Sequence, residues 1–255
     1  MTAAPESAPP EDRAPSLVER LALQHRASGV VTAFITTILA FFIGGLVVLA
    51  TGHNPFSTYK GIFNGTGLNW FFPWISSDDR IIAEFNLQQT LLTTTTLMLT
   101  GLAVAFAFRC GLFNIGGQGQ YTMGAIVATW VGASFIGLNS VAHILLAIVL
   151  ASLVGAAWAG VAGMLKATVG AHEVIATIML NWIAYWIGSY AFGQGGPLQN
   201  TDPERVSVPI SNDIDAGAHL PVFWGDPEFQ GLHIGFLIAI AALVGFWLLN
   251  RKSVV

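Results

Sequence analysis

The chain has 255 residues and a formal net charge of −4, and 54% of its residues are hydrophobic while only 9% are charged. A soluble domain carries about 25% charged residues, so this composition excludes an ordinary water-soluble domain and indicates an integral membrane protein. The single cysteine, Cys110, excludes a disulfide within the chain, and no basic cluster points to a nucleic-acid partner. Because the apolar runs are long and do not alternate with polar residues, we predict an all-α, polytopic bundle of transmembrane helices.

The N-terminal 27 residues are predicted to form a cytosolic tail, largely disordered because proline and charged residues dominate its first half. Residues 16–25 suit either a short helix on the membrane surface or an extension of the first span. Beyond the tail, six segments contain the roughly 20 apolar residues that cross a bilayer. They are residues 28–52, 88–108, 118–137, 141–165, 173–193 and 231–250.

The distribution of lysine and arginine predicts the orientation of these spans. With the N-terminus inside, the inner segments hold seven basic residues and the outer segments hold three, namely Lys60, Arg80 and Arg205. We therefore predict that both termini are cytoplasmic. The long connections at 53–87 and 194–230 then lie outside, and the second is expected to form a loop over the outer mouth.

A glycine-rich polar stretch, GLFNIGGQGQYTMGA, occupies residues 111–125 between two of the apolar segments. Glycine at this density destabilises a helix interior by roughly 1 kcal/mol per position, so we predict a break in the helix. Broken backbone inside a membrane needs protein or water around it and often lines a cavity in transporters. On that interpretation Asn114, Gln118 and Gln120 line a substrate pathway. The alternative is a tight cytosolic turn without contact to a solute.

Polar residues recur at every fourth position of the fifth span, at Glu173, Thr177, Asn181 and Tyr185. Because four residues advance a helix by about 40° beyond one full turn, this polar stripe winds gradually around the helix. Asn181 lies near the middle of the span, where an unpaired amide costs several kcal/mol. It either lines a wet passage or holds two helices together. Thr177 and Tyr185 are further pathway candidates.

The second span contains six threonines, of which Thr94 is also a pathway candidate. Threonine hydroxyls in membrane helices bond to the preceding turn or to a neighbouring helix. A polar wall that faces a passage is the other interpretation of this composition.

The fourth span carries small residues at a spacing of four, at Ala151, Gly155, Ala159 and Gly163. Small side chains in such a row allow another backbone to approach closely. We therefore predict that this face forms the tightest helix contact of the chain, and we treat it as a packing feature and not as a binding site.

Enzymatic motifs are absent from the sequence. None of the three lysines follows glycine in a phosphate-binding loop, and His172-Glu173 lacks the second histidine of a zinc-protease helix because Ala176 stands in its place. We therefore predict no catalytic residues, no metal ligands and no cofactor. Any ATP hydrolysis that drives the protein has to occur on another subunit.

Three blocks of sequence resemble the permease subunits of ABC importers, in the branched-chain amino acid/ribose permease family. Residues 111–125 resemble its membrane-permease signature, and AHEVIATIMLNWIA at 171–184 resembles a second signature found in its simple-sugar and nucleoside branch. GHNPFSTYKGIFNGTG at 52–67 resembles the opening outer segment of that branch. The blocks follow the family's order and spacing, and with the spans they cover nearly the whole chain from residue 28.

The resemblance implies a permease subunit in a bacterial plasma membrane, with ABC ATPase subunits, a second permease subunit and an extracytoplasmic substrate-binding protein as partners. ATP binding and hydrolysis on the ATPases would drive alternating access of the spans, and nucleosides or simple sugars would be the cargo. A self-contained secondary transporter or channel is the alternative. It would require buried ionisable residues for ion coupling, and the predicted spans contain few of them.

The sequence departs from the family pattern in two places. Gln118 stands where relatives often have an acidic residue, which puts any role for a charge at that position in doubt. Family members also continue beyond the sixth span, whereas this sequence stops at residues 251–255. The expectation is therefore a permease domain over 28–255 that is partial at its C-terminal side.

Overall fold

The computed structural model describes residues 17–205, 207–227 and 231–251, with only the backbone described for residues 17–30. Most of the segment expected to be disordered lies outside the described residues. The chain divides into two compact units, Met1–Gly65 and Thr66–Val255.

The described part of the first unit consists of two helices, α1 (Leu17–Ala50) and α2 (Pro55–Gly65). Because α1 is continuous from residue 17, the structure shows the helical extension that was one of the two expectations for this region. The phenolic hydroxyl of Tyr59 in α2 donates a hydrogen bond to the main-chain carbonyl of Phe41, and the two rings meet edge to face at 5.5 Å. These contacts fold α2 back onto α1.

The second unit contains five α-helices among its described residues. They are α3 (Ser77–Arg109), α4 (Gly117–Ser134), α5 (Ser140–Val169), α6 (Glu173–Phe192) and α7 (Gly235–Arg251). Helix α4 packs most extensively against α5 and then against α6, while α3 packs against α7. Two short antiparallel strands, β1 (Val222–Trp224) and β2 (Leu232–His233), are the exception to an otherwise all-helical fold.

A helix is present at the position of each of the six predicted spans. Within the described residues, four helical segments are long and apolar enough to cross a membrane: Val31–Ala50, Ser77–Arg109, Ser140–Val169 and Glu173–Phe192. The 17-residue α7 falls just short of that length, and α4 is not among the four. The count of six spans and the inside position of the N-terminus therefore stay predictions.

Helix α3 begins at Ser77, eleven residues before the start that hydropathy predicts. Its first turn is stabilised by the side chain of Ser76, which accepts a hydrogen bond from the Asp79 amide at 3.3 Å, and by Asp78 and Asp79 near the positive helix end. At a rise of about 1.5 Å per residue the helix is about 50 Å long, well beyond the roughly 30 Å of a hydrocarbon core. Hydropathy detects only its apolar part, so the sequence-based boundary was wrong.

The break predicted over residues 111–125 is much shorter in the structure. Only residues 111–116 are non-helical, and α4 runs without interruption from Gly117. The glycines at 119 and 124 lie inside this helix, because neighbouring backbones occupy the space that side chains would need. Close packing outweighs their low helix propensity.

Candidate functional site

The start of α4 is joined to the middle of α6 by one side chain, that of Asn181. Its Oδ1 accepts a hydrogen bond from the Gly119 amide at 2.8 Å, and its Nδ2 donates to the Ile115 carbonyl at 3.0 Å. A helix start has unsatisfied amides that a capping side chain normally binds. The residue before α4, Gly116, has no side chain to do so. Asn181 therefore caps α4 from another helix, which is the helix-to-helix role considered for it above.

Asn114 stabilises the turn that precedes α4. Its Oδ1 accepts from the Gly116 amide at 2.8 Å and from Nε2 of Gln120 at 3.2 Å. Two predicted pathway residues, Asn114 and Gln120, are thus in direct contact with each other. Asn114 and Asn181 thus supply acceptors for the Gly116 and Gly119 amides at the glycine-rich start of α4, and Gln120 donates to Asn114.

Helix α4 approaches both of its neighbours very closely. A Cβ atom built on Gly119 would lie 2.8 Å from Oδ1 and 3.0 Å from Cα of Asn181. On the α5 side, a Cβ atom on Gly155 would lie 3.2 Å from the Gln120 carbonyl oxygen, and one on Gly124 would lie 3.2 Å from the Ala151 carbonyl oxygen. Half of the small-residue row of α5, Ala151 and Gly155, therefore lies against α4.

The other half of that row lines a cavity of about 380 Å³, which we call the inner cavity. Its walls come from α3, the turn before α4, the first turn of α4, α5 and the first turns of α6, and they include Ala159 and Gly163. Three predicted pathway residues contribute polar groups to it: Asn114, Gln120 and Thr177. An ion pair of 2.8 Å between Nζ of Lys166 and Oε1 of Glu173 also lines the cavity and ties α5 to α6.

A second concave surface, the α4–α6 groove, runs between these two helices and encloses about 530 Å³. Helix α4 contributes Tyr121, Thr122 and Thr129, and α6 contributes Tyr185 and Ser189. Its volume falls within the range of about 300–1,000 Å³ that small-molecule sites occupy. Among the predicted pathway residues, only Tyr185 lies here.

Four hydroxyl groups of this groove have no hydrogen-bond partner within the described part of the chain. Of the five hydroxyl side chains, only that of Thr122 forms a hydrogen bond within the described residues, and it donates to the Gln118 carbonyl at 2.9 Å. The remaining hydroxyls belong to Tyr121, Thr129, Tyr185 and Ser189. Polar groups removed from water cost free energy unless they bind a partner, so these hydroxyls suit the groove to contact with a polar solute.

Gln118 and Thr94 lie apart from these two surfaces. Gln118 lines a shallow groove between α3 and the start of α4, together with Thr100 and Asn114. The hydroxyl of Thr94 donates to the Thr90 carbonyl at 2.7 Å, which is a bond within its own helix. Thr93, Thr95 and Thr100 bond to the preceding turn in the same way. This is one of the two hydrogen-bonding patterns that the threonine-rich sequence allows.

The winding of the polar stripe along α6 decides which surface each residue reaches. Glu173 and Thr177 line the inner cavity, Asn181 contacts the start of α4, and Tyr185 lines the α4–α6 groove. Sequence reasoning singled out the stripe but missed the groove residues Tyr121, Thr129 and Ser189. Hydroxyl groups recurring along two spans are the only signal that could have identified them, and only the pairing of α4 with α6 brings them together.

The long connection at 194–230 is anchored to α3, α4 and α5 by specific contacts of its described residues. The Asp215 amide donates to the Gly132 carbonyl at 2.9 Å, and the fully buried His143 places Nδ1 3.9 Å from Oδ1 of Asp215. At the strand pair, Nε1 of Trp224 donates to Oε1 of Glu84 at 2.7 Å. The described residues of this connection therefore form an ordered cover on α3, α4 and α5. In the same described residues, no cluster of three histidine, cysteine or acidic side chains could hold a metal ion.

Residues 86–255 match the family described as the branched-chain amino acid transport system / permease component. The chain is 34% identical over 229 residues to the guanosine ABC transporter permease protein NupP of Bacillus subtilis, covering 89% of this chain and 60% of that protein. It is 30% identical over 236 residues to the nucleoside ABC transporter permease protein NupB of Lactococcus lactis, covering 91% and 60%.

A third relative is the glucose ABC transporter permease protein TsgB13 of Haloferax volcanii, at 29% identity over 230 residues, covering 87% of this chain and 55% of that protein. The chain thus spans between 55% and 60% of the length of these curated relatives. No solved structure matches it significantly. The family match over residues 86–255 includes the start of α4, Asn181 and both walls of the α4–α6 groove. On the basis of this match, the chain belongs to the family of branched-chain amino acid transport system permease components.

Proposed function

We propose that the chain is a membrane-spanning permease subunit of an ABC importer that moves a small, neutral, polar solute across the plasma membrane. Nucleosides and simple sugars are the cargo that the names of its relatives suggest. The observation that carries the proposal is the α4–α6 groove, which is lined by four hydroxyls without partners among the described residues. Uncharged hydroxyl donors and acceptors suit a neutral polyol better than an ion.

The inner cavity and the α4–α6 groove are proposed as two parts of the solute pathway, at successive levels of α6. Asn114, Gln120 and Thr177 would contact the solute in the inner cavity, and Tyr185 would contact it in the groove. Asn181 lies between the two levels on α6. Gln118 and Thr94 remain candidates that neither surface includes.

The proposal requires partners. ABC ATPase subunits would bind and hydrolyse ATP and so drive alternating access of the spans. A second permease subunit would complete the membrane domain, and an extracytoplasmic binding protein would deliver the solute. The alternative, a secondary transporter or channel, depends on ion coupling through buried charges. Lys166 and Glu173 form an ion pair with each other, so neither is an isolated buried charge of the kind expected in an ion-coupled site.

Reconstitution tests this function. Proteoliposomes would contain the chain in its full transporter with ATPase and binding protein, and uptake of guanosine and glucose would be measured with and without ATP. We expect uptake that depends on ATP and disappears when the ATPase carries an inactive phosphate-binding loop. Uptake driven by an ion gradient in the absence of the ATPase would instead establish the secondary transporter.

A further inference from the structure

We infer that Tyr121 and Tyr185 form an aromatic clamp in the α4–α6 groove that binds the flat base of a nucleoside, while Thr129 and Ser189 bind its sugar hydroxyls. This inference rests on the proposed transport function and names the part of the chain that would distinguish nucleosides from other neutral solutes. It depends on the ring positions, on the unpartnered hydroxyls and on the shape of the groove.

The two tyrosine rings come from facing walls of the groove at similar levels. Tyr121 lies one turn above the α4 start, and Tyr185 lies one turn above the Asn181 contact on α6, which meets that same start. Both side chains are more than half exposed in the isolated chain, at 53% and 57%. Each ring is therefore accessible to a molecule in the groove.

The Tyr185 ring is held by its neighbours. Trp182 and Trp186 meet it edge to face, with ring centroids at 6.1 Å and 5.4 Å. Edge-to-face pairs of this kind restrict ring orientation and contribute to stability beyond the area they bury. A ring fixed in this way loses little conformational entropy when a ligand stacks on it.

At the floor of the groove, Gly188 allows α6 to approach α4 closely. A Cβ atom on Gly188 would lie 3.3 Å from Cδ1 of Ile126 and 3.9 Å from Cγ2 of Thr122, so side chains of α4 pack directly against the α6 backbone at this level. From Tyr121 to Thr129 the α4 wall is eight residues long, which corresponds to about 12 Å at 1.5 Å per residue. Tyr121 lies at one end of this length and Thr129 at the other, and on α6 Ser189 lies one turn, about 6 Å, beyond Tyr185.

This separation of rings from hydroxyls fits a solute that has a flat aromatic part and a hydroxylated part. Bases of every kind stack on aromatic side chains, and the contact tolerates differences between bases. A simple sugar offers hydroxyls to Thr129 and Ser189 but no aromatic face to the tyrosines. The groove is therefore expected to favour nucleosides over hexoses, and to do so with little preference among bases.

Cysteine accessibility tests whether the groove is wet and whether a nucleoside fills it. Cys110 would first be replaced by serine, since it is the only native cysteine. Ser189→Cys and Thr129→Cys would then be treated, in the reconstituted transporter, with a charged thiol reagent that does not enter lipid. Ile183→Cys on the same helix is the matched control, because Ile183 is exposed but does not line the groove.

We expect positions 129 and 189 to react, position 183 to remain unmodified, and guanosine to slow the reaction at 189 much more than glucose does. Tyr185→Phe should keep this protection, whereas Tyr185→Leu should raise the guanosine concentration required for it by about tenfold, since stacking is lost.

Three results would overturn the inference. Positions 129 and 189 that are as unreactive as 183 would show that lipid or another protein chain covers the groove. Equal protection by guanosine and glucose, or an unchanged response in Tyr185→Leu, would remove the aromatic clamp. In each case ATP-dependent uptake by the same preparation would show that the transport function itself stands.

Discussion

The contact between Asn181 and the start of α4 allows a prediction with a defined magnitude. Asn181→Ala removes the acceptor for the Gly119 amide and the donor to the Ile115 carbonyl. Loss of a helix cap costs about 0.5–2 kcal/mol, and hydrogen bonds between membrane helices average about 0.6 kcal/mol. We therefore expect the free energy of unfolding to fall by about 1–2.5 kcal/mol.

The measurement is thermal or denaturant unfolding of the purified transporter, combined with uptake divided by the amount of assembled complex. Thr168→Val is the matched control, because the exposed Thr168 hydroxyl bonds only to the Met164 carbonyl of its own helix, at 2.8 Å. We expect Asn181→Ala to lower stability and the yield of complex, with an unchanged uptake rate per complex, since both polar atoms of the side chain are occupied by main chain.

A double variant tests whether Gly119 and Asn181 contact each other directly. Gly119→Ala alone places a methyl group 2.8 Å from Oδ1 of Asn181, so it should separate α4 from α6. In the Asn181→Ala background part of that clash is gone, and the combined loss should be smaller than the sum of the two. Additive losses, or an Asn181→Ala variant as stable as Thr168→Val, would refute the reasoning. A lowered rate per complex would return Asn181 to the solute pathway.

Three further predictions follow from the fold. Gly155→Leu should disrupt assembly, because its side chain would meet the Gln120 carbonyl, whereas Gly160→Leu has open space and should be tolerated; the yield of folded protein compares the two. Cysteines at positions 205 and 166 should be labelled from outside and from inside the cell respectively, and the reverse at both would overturn the orientation. Burial lowers the pKa of His233, so the folded state binds fewer protons than the unfolded state, and stability should decline as the pH falls below about 6.5. This pH dependence should be weaker in His233→Gln, as measured by unfolding at pH 7.5 and pH 5.5.

Composition and periodicity alone determined that this chain is an α-helical membrane protein, because a run of about 20 apolar residues is typical of a membrane-spanning helix. They also located a helix at each predicted span, and the sequence blocks at 111–125 and 171–184 identified the family that the comparison confirmed. These properties depend on local sequence, so no knowledge of the packing was needed.

Helix boundaries depended on contacts that local sequence does not reveal. Hydropathy missed the first eleven residues of α3, since a capped polar turn is helical without being apolar. Local propensity likewise suggested a broken helix around Gly119 and Gly124. There the chain is helical because α5 and α6 approach so closely that only glycine fits.

The tertiary structure alone decided what the polar residues do. Asn181 and Tyr185 are one turn apart on the same stripe, yet the first caps a neighbouring helix and the second lines a groove. The hydroxyls of Tyr121 and Ser189 are 68 positions apart in the sequence and lie on two different helices. Which side chains face each other is set by how α4, α5 and α6 pack together, and that arrangement depends on long-range contacts between segments that no local pattern specifies.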